Sequence, residues 1–97
     1  MKIIDHLADK KAEQQAYRNA RNRCTNPNHE HWRNYGGRGI EFRFTSFNHF
    51  LEHVGHRPTP SHSLDRINNE GHYEPGNIRW ATPEQQYTNK RKRYTKR

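Results

Sequence analysis

The residues from Leu64 to Trp80, LDRINNEGHYEPGNIRW, place polar side chains where a small hairpin would prefer apolar ones. Two oxygen donors, Asp65 and Asn77, come near the ends of the two predicted strands, which cover residues 63–67 and 77–81. We expect them to face each other across the hairpin, where a carboxylate and an amide oxygen suit a hard cation such as Mg²⁺. The alternative is that both side chains only satisfy backbone groups of the turn, as Asp and Asn often do.

A strong helix start follows the second predicted strand directly. Thr82 can act as the N-cap, Pro83 suits the first helical position, and Gln85 can return a hydrogen bond to the cap. This helix is predicted to run to about residue 92, and it would brace the hairpin. Residues 62–92 are therefore predicted to form a hairpin–helix unit that could hold a cation between its three elements.

The preceding part of the chain is predicted to contain two helices. Residues 5–23, within a basic N-terminal segment 1–24, lack Pro and Gly and carry Ala at every fourth position, which indicates a helix with a shallow packing face. Residues 47–54 have apolar side chains at helical spacing, with Thr45 or Ser46 as the cap and Gly55 at the end. This second helix should belong to the core.

Two shorter segments join the predicted helices. Residues 35–40, YGGRGI, are interpreted as a structural turn in which glycine allows positive φ angles. Residues 41–44 alternate polar and apolar side chains, as a short half-buried strand does. Because aromatic side chains bury the most surface, they are expected to form the core, with the contributors Trp32, Phe42, Phe44, Phe47, Phe50 and Trp80.

Composition and charge indicate a small basic domain with a polyanionic partner. The 97 residues include 18 Lys and Arg against 10 Asp and Glu, a net charge of +8, and only 28% are hydrophobic. Nucleic acid is the expected partner, because each neutralised phosphate releases counterions. For the helix arginines, a merely solvated surface is an equal alternative. The side chains expected to contact DNA are Arg18, Arg21, Arg23, Arg38, Lys90, Arg91, Lys92 and Arg93, the last four opening a basic tail at 90–97.

Other classes of protein are disfavoured. No basic segment has a strong apolar face and no apolar run approaches the ~20 residues that span a bilayer, so no membrane partner is expected. The apolar start of the chain is too short for a signal peptide, and the chain is interpreted as cytoplasmic. The single Cys24 excludes an internal disulfide and a Cys-rich zinc cluster, and it is expected to be a half-buried thiol.

The run LDRINNEGHYEPGNIRWATPEQQYTN, together with YGGRGI, RCTNPN and the Phe-rich helix, resembles the small phage-type HNH nucleases of the ββα-metal fold. The likeness covers roughly residues 20–92. It implies a hairpin–helix site that binds one divalent cation and cuts a DNA phosphodiester bond. From its length and its predicted elements, the chain is expected to form one α+β domain over residues 1–97. By this resemblance, Asp65 matches the acidic metal ligand and Asn77 matches the Asn that opens the second strand.

The chain departs from the family pattern where the general base is expected. Arg66 stands in place of the usual His, and an arginine cannot be deprotonated at working pH. If the enzyme is active, we expect Arg66 to bind the scissile phosphate. The proton of the attacking water would pass to His72, His62 or Tyr73, with the two histidines first because of their unperturbed pKa, or to a metal-bound hydroxide.

A second departure concerns the helix position of the pattern. It falls near Gln86 or Asn89, neither of which is His, so a nitrogen ligand is lost. Zinc is therefore disfavoured, and an oxygen site for Mg²⁺ or Mn²⁺ is expected.

The predicted function is a metal-dependent DNA endonuclease or nickase of HNH type. The alternative is a catalytically degenerate HNH-fold protein that binds DNA or regulates without cutting, which Arg66 itself favours. A third interpretation is a phage factor that binds an acidic host protein. A monomer with one site should nick and a symmetric dimer could cut both strands, and the sequence leaves the oligomeric state open.

Overall fold

Residues 2–91 form three α-helices and a two-stranded antiparallel sheet, in agreement with the predicted α+β class. A computed structural model describes the backbone of residues 2–91 and the side chains of residues 10–88. Two 3₁₀ turns, Trp32–Asn34 and Gly36–Arg38, lie between the first two helices. The regular elements in chain order are α1 (Lys2–Thr25), α2 (Phe47–Val54), β1 (Ser63–Arg66), β2 (Ile78–Ala81) and α3 (Pro83–Arg91).

Helix α1 is slightly longer than the predicted 5–23 and packs through the expected small residues. Ala20 and Cys24 are buried one turn apart, and Ala16 and Tyr17 are half-buried on the same side. Because alanine side chains are short, they let the helix approach its neighbours closely. Burial raises the pKa of the Cys24 thiol to about 11, so this side chain is a neutral packing residue at physiological pH.

One charged residue interrupts the small-residue side of α1. Glu13 is fully buried, at 0% exposure, and its Oε2 accepts a hydrogen bond of 2.6 Å from the backbone N–H of Arg57. The same oxygen lies 3.5 Å from Nδ1 of His56. Oε1 has no hydrogen-bond partner among residues 10–88. Glu13 therefore ties the loop after α2 to the first helix.

Replacing Glu13 by alanine is expected to lower the free energy of unfolding by about 1–3 kcal/mol, because the Arg57 N–H loses its acceptor. Urea denaturation followed by circular dichroism measures the change. Glu52→Ala is the matched control, since Glu52 is exposed on α2 and its loss should cost less than about 0.5 kcal/mol. Equal losses in the two variants would contradict the anchoring role of Glu13.

Helix α2 has the predicted caps. Ser46 Oγ accepts a hydrogen bond of 3.1 Å from the backbone N–H of His49, and Gly55 ends the helix with a φ of 73°. Phe50 faces inward and is fully buried. The ring of Tyr17 on α1 meets that of Phe50 edge to face, with centroids 5.4 Å apart. This aromatic contact joins the first two helices.

The strand predicted for residues 41–44 is wrong. Phe42 forms only an isolated bridge with Tyr73, supported by hydrogen bonds from Arg43 N to Tyr73 O and from Tyr73 N to Glu41 O. Tyr73 lies in the loop between β1 and β2 and is the one residue of that loop that pairs with this segment, so no second strand forms beside residues 41–44. The alternation of residues 41–44 nevertheless buries Phe44 in the core.

The core is aromatic, as expected, although its membership differs from the prediction. Trp32 and Trp80 are only half-buried, whereas Tyr73, which was considered as a base, is 3% exposed. The indole N–H of Trp80 donates a hydrogen bond to Gly55 O at 2.8 Å. The buried cluster consists of Ala20, Cys24, Ile40, Phe44, Phe50, Tyr73 and Ile78.

The hairpin passes directly into α3. Thr82 Oγ1 accepts from the Gln85 backbone N–H, and the Gln85 side chain accepts from the Thr82 backbone N–H, which is the predicted capping box. Gln86 donates to Ala81 O and ties the first turn of the helix to β2. Within residues 2–91, no helix combines the length and apolar character needed to cross a membrane.

Candidate functional site

The register of the hairpin decides which side chain lies opposite Asp65. Asp65 pairs with Arg79 across the two strands, and Arg66 pairs with Ile78. Both Nε and Nη2 of Arg79 lie 3.1 Å from Asp65 Oδ2. The expectation that Asp65 faces Asn77 is therefore wrong, because Asn77 precedes β2 and its carbonyl accepts from Ile67 N instead. The carboxylate predicted to hold a cation has an arginine beside it.

The two faces of the hairpin have different roles. Because side chains alternate along a strand, Asp65 and Arg79 share one face, while Leu64, Arg66 and Trp80 share the other. The second face belongs to the core side, where Arg66 is 7% exposed and Leu64 packs against the buried cluster. On the first face, the side chain of Asp65 is 15% exposed to solvent and that of Arg79 is 33% exposed. Adjacent positions in the sequence thus serve opposite sides of the sheet.

Asn77 holds the loop between the strands. Its Oδ1 accepts from Asn68 N at 2.8 Å, and its Nδ2 donates to His72 O at 2.8 Å and to Asn68 O at 3.2 Å. These bonds match the alternative in which Asn satisfies backbone groups of the turn. They occupy both amide hydrogens and one lone pair of the oxygen. The metal role of Asn77 stays a prediction, and only the second lone pair of Oδ1 could serve it.

Arg66 points into the protein and also holds this loop. Its Nη1 donates to Asn69 O at 2.8 Å and to Gly71 O at 2.7 Å. The guanidinium lies 5.3 Å from the ring centres of both Tyr35 and Tyr73, within the range of cation–π attraction. A phosphate role for Arg66 stays a prediction, but the geometry supports a structural one.

The predicted bases occupy different places. Nδ1 of His72 accepts a hydrogen bond of 2.9 Å from Glu41 N, so in the neutral ring the proton sits on Nε2. Nδ1 of His62 lies 2.8 Å from Thr59 Oγ1, and His62 lines a groove on the core-side face, away from Asp65. Burial raises the pKa of Tyr73 to about 12, so its phenol is neutral at physiological pH and a poor base. The roles of His62 and His72 stay predictions.

The arginines predicted to contact DNA divide into exposed and inward-turned side chains. Arg18 and Arg21 are exposed on α1. Arg23 was expected on the same exposed face but is half-buried, with Nη1 donating to Tyr73 OH at 3.2 Å. Arg38 is exposed and donates to Asn69 O and Glu70 Oε1. The side chains of Lys90 and Arg91, and all of Lys92 and Arg93, lie outside the described residues.

Sequence reasoning missed two residues near the candidate site. Arg79 was treated only as part of the second strand, and its position opposite Asp65 depends on the hairpin register, which the long turn does not specify. Tyr35 was seen as part of a glycine-rich turn, yet its ring contacts both Arg23 and Arg66. No local signal marks that contact, because Tyr35 and Arg66 lie far apart in the chain.

Asp65 is the hairpin carboxylate that the sequence predicts to hold a cation. Among residues 10–88, no three His, Cys, Asp or Glu side chains converge on a point where they could share a metal ion. Mg²⁺ is often bound through one or two carboxylates, with water and substrate phosphates as the other ligands. Asp65 fits such a site, since Oδ1 of this carboxylate is not used by Arg79.

Comparison with protein-family models, with curated proteins and with solved structures found no match to this chain.

Proposed function

We propose that the protein is a metal-dependent DNA endonuclease or nickase of HNH type. The observation that carries the proposal is the placement of Asp65 on the hairpin face opposite Arg66 and Leu64, where the hairpin runs directly into the capped helix α3. This order of elements, two antiparallel strands and a helix, agrees with the architecture that the sequence resemblance implies. The net charge of +8 supports a nucleic-acid substrate.

Within this proposal, Asp65 is the protein ligand of a Mg²⁺ or Mn²⁺ ion. The bound cation would stabilise the negative charge that develops on the phosphate during hydrolysis. Arg79 takes the phosphate role first assigned to Arg66, because it is beside Asp65 and one third exposed. The Asp65 side chain is only 15% exposed, so its charge needs a partner throughout. The cation would replace Arg79 beside Asp65, and the substrate phosphate would replace Asp65 beside Arg79.

The basic face of α1 supports binding to the DNA backbone. Arg18 and Arg21 are exposed and lie on the same helix, with Lys11 exposed two turns earlier. Arginine and lysine side chains that contact phosphates position the duplex without reading its sequence. We assign this face to non-specific attachment, while Asp65 and Arg79 are assigned to the scissile phosphate.

Cleavage of supercoiled plasmid tests the proposal. With Mg²⁺ or Mn²⁺, the wild-type protein should convert supercoiled DNA to nicked or linear forms, and a chelator should stop the reaction. Asp65→Asn should slow cleavage by about a hundredfold or more, since the charge that attracts the cation is lost. Glu52→Gln removes an exposed carboxylate on α2, and this variant should cut at the wild-type rate. Equal rates for Asp65→Asn and wild type would contradict the site assignment.

A DNA-binding protein that does not cut is the second candidate. The buried position of Arg66, where the family pattern has its base, favours it. This candidate predicts that the protein retards DNA in a gel, that affinity falls steeply with salt, and that no divalent ion produces a nick. Absence of DNA binding at low salt would contradict both candidates.

A further inference from the structure

A groove of about 330 Å³ lies between α1 and the core-side face of the hairpin, separate from Asp65. Its walls come from α1, from the loop before β1, and from Leu64 and Trp80 on the paired strands. Asp65 belongs to the opposite face of the same hairpin. The volume is near the lower end of the range for small-molecule sites, roughly 300–1,000 Å³. The groove is thus a second place where the protein could hold a ligand.

The groove is positively charged. Arg23, Arg57 and His62 line it, and none of the residues lining it is acidic. The backbone N–H of Arg57 bonds to Glu13, but its guanidinium has no hydrogen bond or ion pair among residues 10–88. Arg57 is nevertheless half-buried. A half-buried arginine that lines a cleft is suited to a phosphate, which a guanidinium can contact with two parallel N–H groups.

The remaining lining combines amide groups with an apolar surface. Gln15 and Asn19 lie one turn apart on α1, and Gln15 Nε2 donates to Asn19 Oδ1 at 3.1 Å. Asn19 Nδ2 has no partner among residues 10–88, so the pair still offers a donor to a ligand. Leu64 and Trp80 provide the apolar part, with the indole held by its bond to Gly55 O. Amide edges beside an apolar wall are the groups that contact a nucleobase.

We propose that this groove binds one nucleotide unit, with its phosphate on Arg57, its base against Leu64 and Trp80, and the base edge at Gln15 and Asn19. The nucleotide can come from a single DNA strand or from a free mononucleotide, and the two sources share the same chemistry. The site stands whether or not the protein cuts DNA, because neither Asp65 nor Arg79 lines the groove.

The NMR signal of the Trp80 indole N–H tests the proposal in the presence of a chelator, which prevents any metal-dependent reaction. Deoxythymidine monophosphate or a short single-stranded oligonucleotide should shift this signal in a saturable way. The Trp32 indole, which does not line the groove, should move little. Binding by the oligonucleotide alone assigns a strand as the source, whereas binding by the mononucleotide alone assigns the free nucleotide.

Arg57→Gln should weaken binding about tenfold or more, since a charge-assisted hydrogen bond is lost. Arg33→Gln is the matched control, because it removes the same charge from an exposed position outside the groove. Equal weakening by both variants, or no shift of Trp80 with either ligand, would overturn the proposal. A shift produced only by duplex DNA or only by an acidic peptide would also overturn it. The plasmid assay can fail without affecting any of these results.

Discussion

Arg66→Ala is expected to lower the free energy of unfolding by about 3–4 kcal/mol, the largest stability loss that we expect from a single substitution in the hairpin. The variant loses two charge-assisted hydrogen bonds, to Asn69 O and Gly71 O, and the cation–π contacts with Tyr35 and Tyr73. Gly71 O would lose a strong donor inside the fold. Because small domains are stable by only about 5–15 kcal/mol, this variant should lie near the limit of folding. Urea denaturation provides the measurement.

Two further variants separate structure from catalysis at this position. Arg66→Lys keeps the charge but lacks the planar fork, so it should lose about half as much stability. Arg79→Ala is the comparison on the other face, where the arginine is one third exposed and its loss should cost less stability than that of Arg66. The structural role of Arg66 would be contradicted if Arg66→Ala kept wild-type stability while DNA cleavage was lost.

Arg66→His also examines the family resemblance directly. This substitution places a histidine where the family pattern has its general base. The imidazole would, however, lie in the buried site of Arg66, beside the rings of Tyr35 and Tyr73. We expect lower stability than wild type and no faster plasmid cleavage. A more active Arg66→His protein would show that a base at this position can reach the substrate.

Asn77→Asp should lower the free energy of unfolding by about 2–3 kcal/mol, the second large effect. Aspartate can still accept from Asn68 N, but it cannot donate to His72 O or Asn68 O, and its charge would face both carbonyls. The loop between β1 and β2 would lose its internal brace. Denaturation in the presence and absence of Mg²⁺ measures this effect and its dependence on the cation.

The same substitution distinguishes the two roles considered for Asn77. If its oxygen were mainly a cation ligand, the introduced aspartate would bind Mg²⁺ more tightly than the native asparagine does, and Mg²⁺ would restore the stability. If it braces the loop, the loss should persist at every Mg²⁺ concentration. Asn28→Asp is the control, because Asn28 is exposed and its side chain makes no hydrogen bond among residues 10–88.

The helices and their ends were predictable because their signals are local. Gly55, Thr82 and Gln85 were identified as caps or ends from their residue types and spacing, and each has that role. Of the two candidates for the cap of α2, Thr45 and Ser46, the structure selects Ser46. Such contacts join residues at most four positions apart, so the order of residues nearly determines them. The strand at 41–44 failed for the opposite reason, since a ladder needs a partner segment that the alternation itself does not specify.

The sequence predicted the strands that carry the candidate site, but it did not predict the side-chain contacts of Asp65 and Asn77. The sequence placed Asp65 on a first strand and Asn77 at the start of a second, and both placements agree with the structure to within one residue. In the structure, however, the strand register places Arg79 opposite Asp65, and the Asn77 side chain forms hydrogen bonds with backbone groups of the long turn. A polar turn of this length allows several registers, and packing selects among them.

From the sequence alone came the α+β class, the hairpin followed by a capped helix, and the excess of positive charge. The tertiary structure alone decided where two arginines point. Arg23 reaches Tyr73 across 50 positions of the chain, and Arg66 reaches Tyr35, whose turn is formed by another part of the fold. The residues next to an arginine in the sequence do not determine whether its side chain is exposed or buried. Its direction depends on whether carbonyl groups and aromatic rings from distant segments surround it, and only the folded chain brings them together.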